Sequence, residues 1–382
     1  MGIGRCHYQL IQAPSFITKK SQQSAQRLNP SENLASLPPI KKPWHFLNWM
    51  RKLARSVYTL STAASYCRKG SLVYFDKQSG DDAYLSSTWI VPGPMQGASI
   101  LGVCDGVGGW GKYNVDAGAL AKALATDMVQ TFEAAESQIL SKDRLENGVP
   151  YPSPILQDSF DKLQQCGDLY AGGTTTCFGI FNPLNARLHS LNIGDSGFMV
   201  LRKGRILFQS ERMAVGLVPK QLAIPPEHLV KDRRQQYQQY KIDLKIPKWM
   251  DTTPADAVST HLDLQHGDVV LYGTDGLFDN MYQQEILQAV TSKLLEGSDW
   301  SDTSGEFEPA ALVQGAQAIA TMLVKKAYYL SLDTNYASPF ATKAFQEGLI
   351  FPGGKPDDIT VVVATVNKVE TDTPDERPYE HA

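Results

Sequence analysis

The same local pattern occurs twice in this chain. An uninterrupted apolar strand delivers Asp and then Gly, first in ILGVCDG (100–106) and again in VVLYGTDG (269–276). A strand that is apolar on successive residues must be covered on both faces, because neighbouring side chains point to opposite sides of a sheet. Two such strands therefore require sheets with layers on either side. After the first, Gly106, Gly108, Gly109 and Gly111 form a turn that admits conformations closed to other residues and lets the backbone approach a ligand, and Asp116 can cap the next helix. Gly106, Gly108 and Gly111 also satisfy GxGxxG, the dinucleotide-binding pattern. That reading needs a second strand ending in an acid about 20 residues on, whereas Asp116 to Glu136 keeps helical spacing. A purely structural turn is one alternative. The other is a hard-metal site in which Asp105 and the carbonyl of Gly106 are ligands.

The 382 residues, 42% hydrophobic, can bury one sizeable core or two smaller ones. The net charge of −4 conceals an asymmetry, because residues 1–75 hold eleven Lys and Arg and a single acid, Glu32. The remainder is a strongly acidic body, a poor partner for nucleic acid and a plausible host for divalent cations. Five cysteines without a CxxC suggest a reducing compartment, with Cys104 and Cys177 as core. No apolar run reaches the roughly 18 residues of a membrane span. Residues 1–70 read as a largely disordered leader, interrupted by Pro14, Pro30, Pro38, Pro39 and Pro43. Within it Trp44, Leu47, Met50, Ala54 and Val57 keep helical spacing beside Arg51, Lys52 and Arg55. Such an acid-poor amphipathic leader resembles a mitochondrial transit sequence, and the bland alternative is a basic arm.

The body is expected from residue 71, with LVYF (72–75) as a strand leading to Lys77, Asp81 and Asp82. Ala117, Leu120, Leu124, Met128 and Phe132 stripe one helix, and 155–170 read as another. Short strands at 174–181, 186–196, 197–203 and 205–210, joined by tight turns such as Gly204, predict antiparallel pairing. Residues 219–256 read as a surface insertion or flap. Strands at 258–264 and 268–274, helices near 283–296, 309–329 and 339–347, and a last strand at 359–366 follow, with a polar tail at 369–382.

Asp81, Asp82, Asp105, Asp195, Asp275, Asp279, Asp357 and Asp358 all fall near predicted strand ends, beside glycine. So many equivalent carboxylates repel one another unless cations lie between them, and carboxylate and carbonyl oxygens without His or Cys select Mg2+ or Mn2+. In order and spacing, GDDA (80–83), DGVGG (105–109), GGTT (172–175), NIGDS (192–196), TDGLFDN (274–280) and PDDIT (356–360) resemble the protein phosphatase 2C family of metal-dependent Ser/Thr phosphatases. GVGGW, GKPDDIT and the basic leader look most like its mitochondrial branch.

The resemblance implies an α+β fold, an α-β-β-α sandwich of two antiparallel sheets flanked by helical pairs, over 71–368. It implies that Asp105 bridges two metal ions, with the Gly106 carbonyl on one, that Asp275 and Asp357 complete the first site and Asp81 the second, and that Asp195, near Asp279, serves a looser third ion. It implies a monomeric enzyme acting on phosphorylated proteins, in the mitochondrial matrix for this branch, by direct attack of a metal-bridging water. Three positions depart from the family. Asp81 stands for Glu, Lys77 for a phosphate-binding Arg, and Val107 for a His. Asp105, Asp275 and Lys77 are the expected catalytic residues, and His189, His228, His261 and His266 have structural or surface roles. Lys77 and Val107 also motivate a second hypothesis, a weak or inactive phosphatase-like module that binds phosphoproteins.

Overall fold

The computed structural model describes residues 57–70, 79–90, 95–135, 145–231, 252–296 and 309–369. In chain order they form strands β1 (Val57–Cys67), β2 (Ala83–Thr88) and β3 (Ser99–Gly106), then helices α1 (Ala117–Ala134) and α2 (Pro152–Gln165). Strands β4 (Gly172–Asn182), β5 (Arg187–Ile193), β6 (Gly197–Arg202), β7 (Arg205–Gln209) and β8 (Leu222–Ile224) follow. Strands β9 (Val258–Asp263) and β10 (Val269–Gly273), helices α3 (Gln283–Glu296), α4 (Pro309–Leu332) and α5 (Pro339–Gln346), and strand β11 (Ile359–Val369) complete the order.

One sheet runs β1-β11-β10-β6-β7 and the other β9-β5-β4-β3-β2, with β8 paired to the start of β4. Every one of these pairings is antiparallel. Side-chain alternation then sorts the apolar runs into three cores. Leu101, Val103, Cys177 and Phe181 of one sheet meet Phe198, Val200, Val270, Tyr272 and Val362 of the other. Ile100, Cys104, Phe178 and Ile180 face outward onto Leu120, Leu124 and Phe160 of α1 and α2. Met199, Leu271, Val361 and Val363 face Ile286, Val290, Ile319 and Leu323 of α3 and α4. The result is the expected four-layer α-β-β-α sandwich. No helix among the described residues is long and apolar enough to cross a membrane.

Several expectations are revised. β1 lies within the stretch read as leader, yet it pairs with β11 along its whole length, from Val57↔Val369 to Cys67↔Ile359. Its sequence, VYTLSTAASYC, is mostly small and polar, so it has no apolar run to mark it as a strand. Such a side-chain set suffices because β11 supplies the packing surface, all of Ile359–Val366 being buried. The expected helix at 155–170 ends at Gln165, and a separate 3-10 turn, Gly167–Tyr170, begins on the left-handed Gly167 (φ +59°). Part of the expected flap belongs to a sheet, Leu222–Ile224 pairing with Gly172–Thr174. The dinucleotide reading fails on topology, since β3 is antiparallel to both of its neighbours and no parallel crossover exists among the described residues to carry that motif. LVYF, Lys77, the leader to residue 56, the flap at 232–251 and the tail from 370 lie outside the described residues.

Candidate active site

Strand register brings the acids together. Cys104 lies opposite Ala83 and Asp105 opposite Thr175, so the residues just before β2 and at the end of β3 share one edge. In the other sheet Gly273 is opposite both Gly197 and Val361, which gathers Asp275, Asp195 and Asp357 beside their strand ends. One carboxylate oxygen each from Asp105, Asp195 and Asp275 lies within 4.8 Å of the other two.

Close backbone packing fixes these positions. Asp275 opens a single helical turn, Asp275–Phe278, and a Cβ on Gly276 would collide with the Asp358 carbonyl. A Cβ on Gly106 would strike the Ala117 carbonyl, so the residue after Asp105 must be glycine. Asp358 accepts hydrogen bonds from the backbone N–H of Lys69 and of Asp81, each at 2.6 Å. It thereby ties the end of β1 to the acid that precedes β2. Asp82, buried at 1% exposure, accepts a hydrogen bond from the Thr274 hydroxyl at 2.9 Å and so links the two sheets.

Two basic side chains enter the cluster. Lys355 Nζ reaches Asp275 at 2.5 Å, Asp279 at 2.7 Å and Asp357 at 3.0 Å. Its backbone is held by Asn280, whose Oδ1 accepts from the Lys355 N–H and whose Nδ2 donates to the Lys355 carbonyl, both at 2.8 Å. Arg212 spans Asp195, at 3.0 Å, and Asp279. Even so the site is rich in negative charge. Burial, then Asp275 and Asp82, push the Asp105 carboxyl well above its usual range. Burial and Asp275 raise Asp195 to about 7 despite Arg212, and burial followed by Asp358 raises both Asp81 and Asp82.

This arrangement fits hard divalent cations. The convergent donors are all oxygens, and Asp195 Oδ1 is buried without a hydrogen-bond partner, a cost that a cation would offset.

Comparison with known proteins decides the family. No family model matches the chain. The protein phosphatase PTC7 homolog fig of Drosophila virilis is 36% identical over 292 residues, which cover 75% of this chain and 80% of that one. Its Drosophila grimshawi counterpart is 35% identical over 268 residues, 70% of this chain and 74% of the relative. The chain belongs to the protein phosphatase 2C family. Among solved structures, the photosystem II phosphatase PBCP shares its fold, with a TM-score of 0.54 and 22% identity over 80% of this chain and 98% of that one. The enzyme class read from the motifs, a protein serine/threonine phosphatase, stands with the family.

Within this phosphatase, the glycine-rich turn works differently from expectation. Gly108, Gly109 and Gly111 adopt no left-handed conformation, and a Cβ on any of them would meet nothing. Trp110 anchors the turn instead. It is buried, donates its indole N–H to Gln221 at 2.7 Å, and lies where a Cβ on Gly173 would collide, which couples GVGGW to GGTT. Val107 hydrogen-bonds the Gly173 carbonyl through its N–H at 2.9 Å. His189 pairs with Glu146 at 2.6 Å, and His266 accepts from the Lys368 N–H. Cys104 and Cys177 are core residues, and burial pushes the Cys104 thiol up to about 12. Sequence reasoning assigned no role to Arg212 or Lys355. For Lys355 the signal was the GKPDDIT motif itself, where a lysine stands two residues before an expected ligand. Arg212 follows β7 in a stretch without a pattern.

Proposed function

We propose that this phosphatase hydrolyses phosphoserine and phosphothreonine in mitochondrial proteins, using two Mg2+ or Mn2+ ions at the sandwich edge. The observation that carries this is the convergence of Asp105, Asp195 and Asp275 within 4.8 Å. Asp105 and the Gly106 carbonyl would hold the ions with Asp275 and Asp357 on one side and Asp81 on the other. Bound there, the ions would supply a water of lowered pKa as the nucleophile and neutralise charge on the transferring phosphoryl group.

The chain's own contribution is preorganisation. Asp358 fixes the backbone of Asp81, while the clash that excludes any Cβ at Gly276 fixes the turn carrying Asp275. Val107 offers no proton, so protonation of the leaving alkoxide falls to water or another group. No protein nucleophile is required, in keeping with the burial of Cys67, Cys104 and Cys177. The mitochondrial assignment rests on the basic, acid-poor leader together with the GVGGW and GKPDDIT motifs.

The test is hydrolysis of p-nitrophenyl phosphate and of a phosphothreonine peptide by the full chain in Mn2+, Mg2+ or EDTA. Metal-dependent release from both is expected. Metal binding without release from either compound would instead favour the phosphoprotein-binding module motivated by Val107 and Lys77. A reporter carrying residues 1–75 should enter mitochondria, and a cytosolic reporter would remove that part of the reading.

A further inference from the structure

Asp195 is the residue that the family resemblance assigns to a looser third ion, and Asp279 lies beside it. Both are buried, at 3% and 0% exposure. The guanidinium of Arg212 lies between them, donating Nη2 to Asp195 Oδ2 at 3.0 Å and Nη1 to Asp279 Oδ1. The other oxygen of Asp279 is taken by Lys355 at 2.7 Å, so both Asp279 oxygens already serve protein cations. Neither cation arrives there on a loose tether. The backbone of Met213, next to Arg212, donates to the Gly194 carbonyl at 2.7 Å, and Ser210 donates to the Phe198 carbonyl at 2.9 Å. Asn280 clamps Lys355, and a Cβ on the preceding Gly354 would collide with the Leu330 carbonyl.

We infer that the third-cation position of this phosphatase is filled by its own chain, with Arg212 as the resident cation braced by Lys355. The inference rests on the two-metal reading proposed above and gives that site a fixed stoichiometry. An arginine stays charged throughout the accessible pH range and cannot dissociate as an ion does, so the third charge is constant whatever the divalent concentration. Arg212 is also a positioning residue. With Asp195 Oδ2 held by the fork, Oδ1 is left without a partner in the buried cluster shared with Asp105 and Asp275.

The experiment counts Mn2+ ions per chain by equilibrium dialysis with elemental analysis, up to millimolar free Mn2+, on the full-length protein. The wild type should bind two. Arg212→Gln, which empties the position and leaves two facing carboxylates, should bind a third, more weakly. Adding Asp279→Asn to that variant should return the count to two. Arg212→Lys, which keeps a charge at the site, should stay at two and supplies the comparison if Arg212→Gln does not fold. In that case Asp279→Asn alone must leave the count at two. A wild-type count of three that Asp279→Asn lowers to two, or an Arg212→Gln protein that folds and still binds two, overturns the inference while leaving the phosphatase reading intact. A folded wild-type protein that binds no Mn2+ overturns both.

Discussion

The two sheets contribute acids to one edge, but the chain treats the two groups differently. On the β10–β11 side, Asp275, Asp279 and Asp357 all contact Lys355, and Asp279 also contacts Arg212. On the β2–β3 side, Asp81, Asp82 and Asp105 make no ion pair among the described residues, and the carboxyl pKa of each is raised. Among the described residues, one half of the edge thus carries ion-paired cations, whereas the other has only Lys122 and Arg68 acting on Asp81 without an ion pair. Buried like charges without counterions are costly, and relief comes either from protons or from metal. The comparison identifies the β2–β3 acids, with Asp105 in common, as the part of the edge whose charge depends on what binds.

The largest expected effect comes from removing the shared acid. Asp105→Asn and, separately, Asp275→Asn should each lower the metal-dependent hydrolysis of p-nitrophenyl phosphate by about a thousand-fold or more, the scale of losing a principal electrostatic stabiliser. If Asp105→Asn kept wild-type turnover in Mn2+, the β2–β3 half would have no catalytic part. Next in size is Lys355→Met. It strips the β10–β11 side of its counterion and should destabilise the EDTA-treated protein by roughly 3 kcal/mol, in the range for breaking one partner of a buried pair. Denaturant unfolding measures this. Saturating Mn2+ should recover most of the loss, since the vacated carboxylates become available to the ion. An equal loss with and without metal would show that Lys355 is purely structural.

How far the sequence revealed this arrangement depended on the physics of each part. Strands covered on both faces, such as β3 and β10, announce themselves as apolar runs, and an Asp-Gly at their ends stands out because little else at a buried strand end is acidic. β1 was hidden by the opposite circumstance. Thr59, Ser61, Thr62 and Ser65 carry no hydrophobic signal, and its place depends on β11, some 300 residues away in the chain. Gly106 was legible as a required glycine. The need for glycine at 108, 109 and 111 was over-read, because the local pattern could not show that Trp110 holds the turn. Arg212 and Lys355 were illegible as counterions because a lone basic residue in a loop is commonplace. Only register and tertiary packing bring them against Asp279.

A more gradual effect follows from pH in the absence of metal. Burial and Asp275 lift Asp195 from 3.8 to about 7, so between those values the folded chain binds a proton that the unfolded chain has released. Stability is then fully present below pH ~4 and is lost as the pH rises through 7, by on the order of 4 kcal/mol. Asp82 and Asp105, also raised, act in the same direction. Unfolding free energies in EDTA should therefore fall from pH 5 to pH 7.5. Saturating Mn2+ should flatten or reverse the trend, because the ions replace the protons. A metal-free protein whose stability did not fall over that range would contradict the account of buried acids at this edge that hold protons until metal replaces them.

The smallest effect tests the β2–β3 side at its rim. Asp358 accepts two backbone N–H bonds and adds a negative charge that raises Asp81 and Asp82. Asp358→Asn keeps one acceptor oxygen and must surrender one of the two bonds, costing about 1 kcal/mol. It also removes a charge from the side of the edge whose acids make no ion pair among the described residues. Mn2+ affinity, measured by calorimetry, should weaken a few-fold, with the number of bound ions unchanged. A tighter Mn2+ site in Asp358→Asn would mean that Asp358 acts on the cluster through its position alone, and that its charge is already cancelled locally.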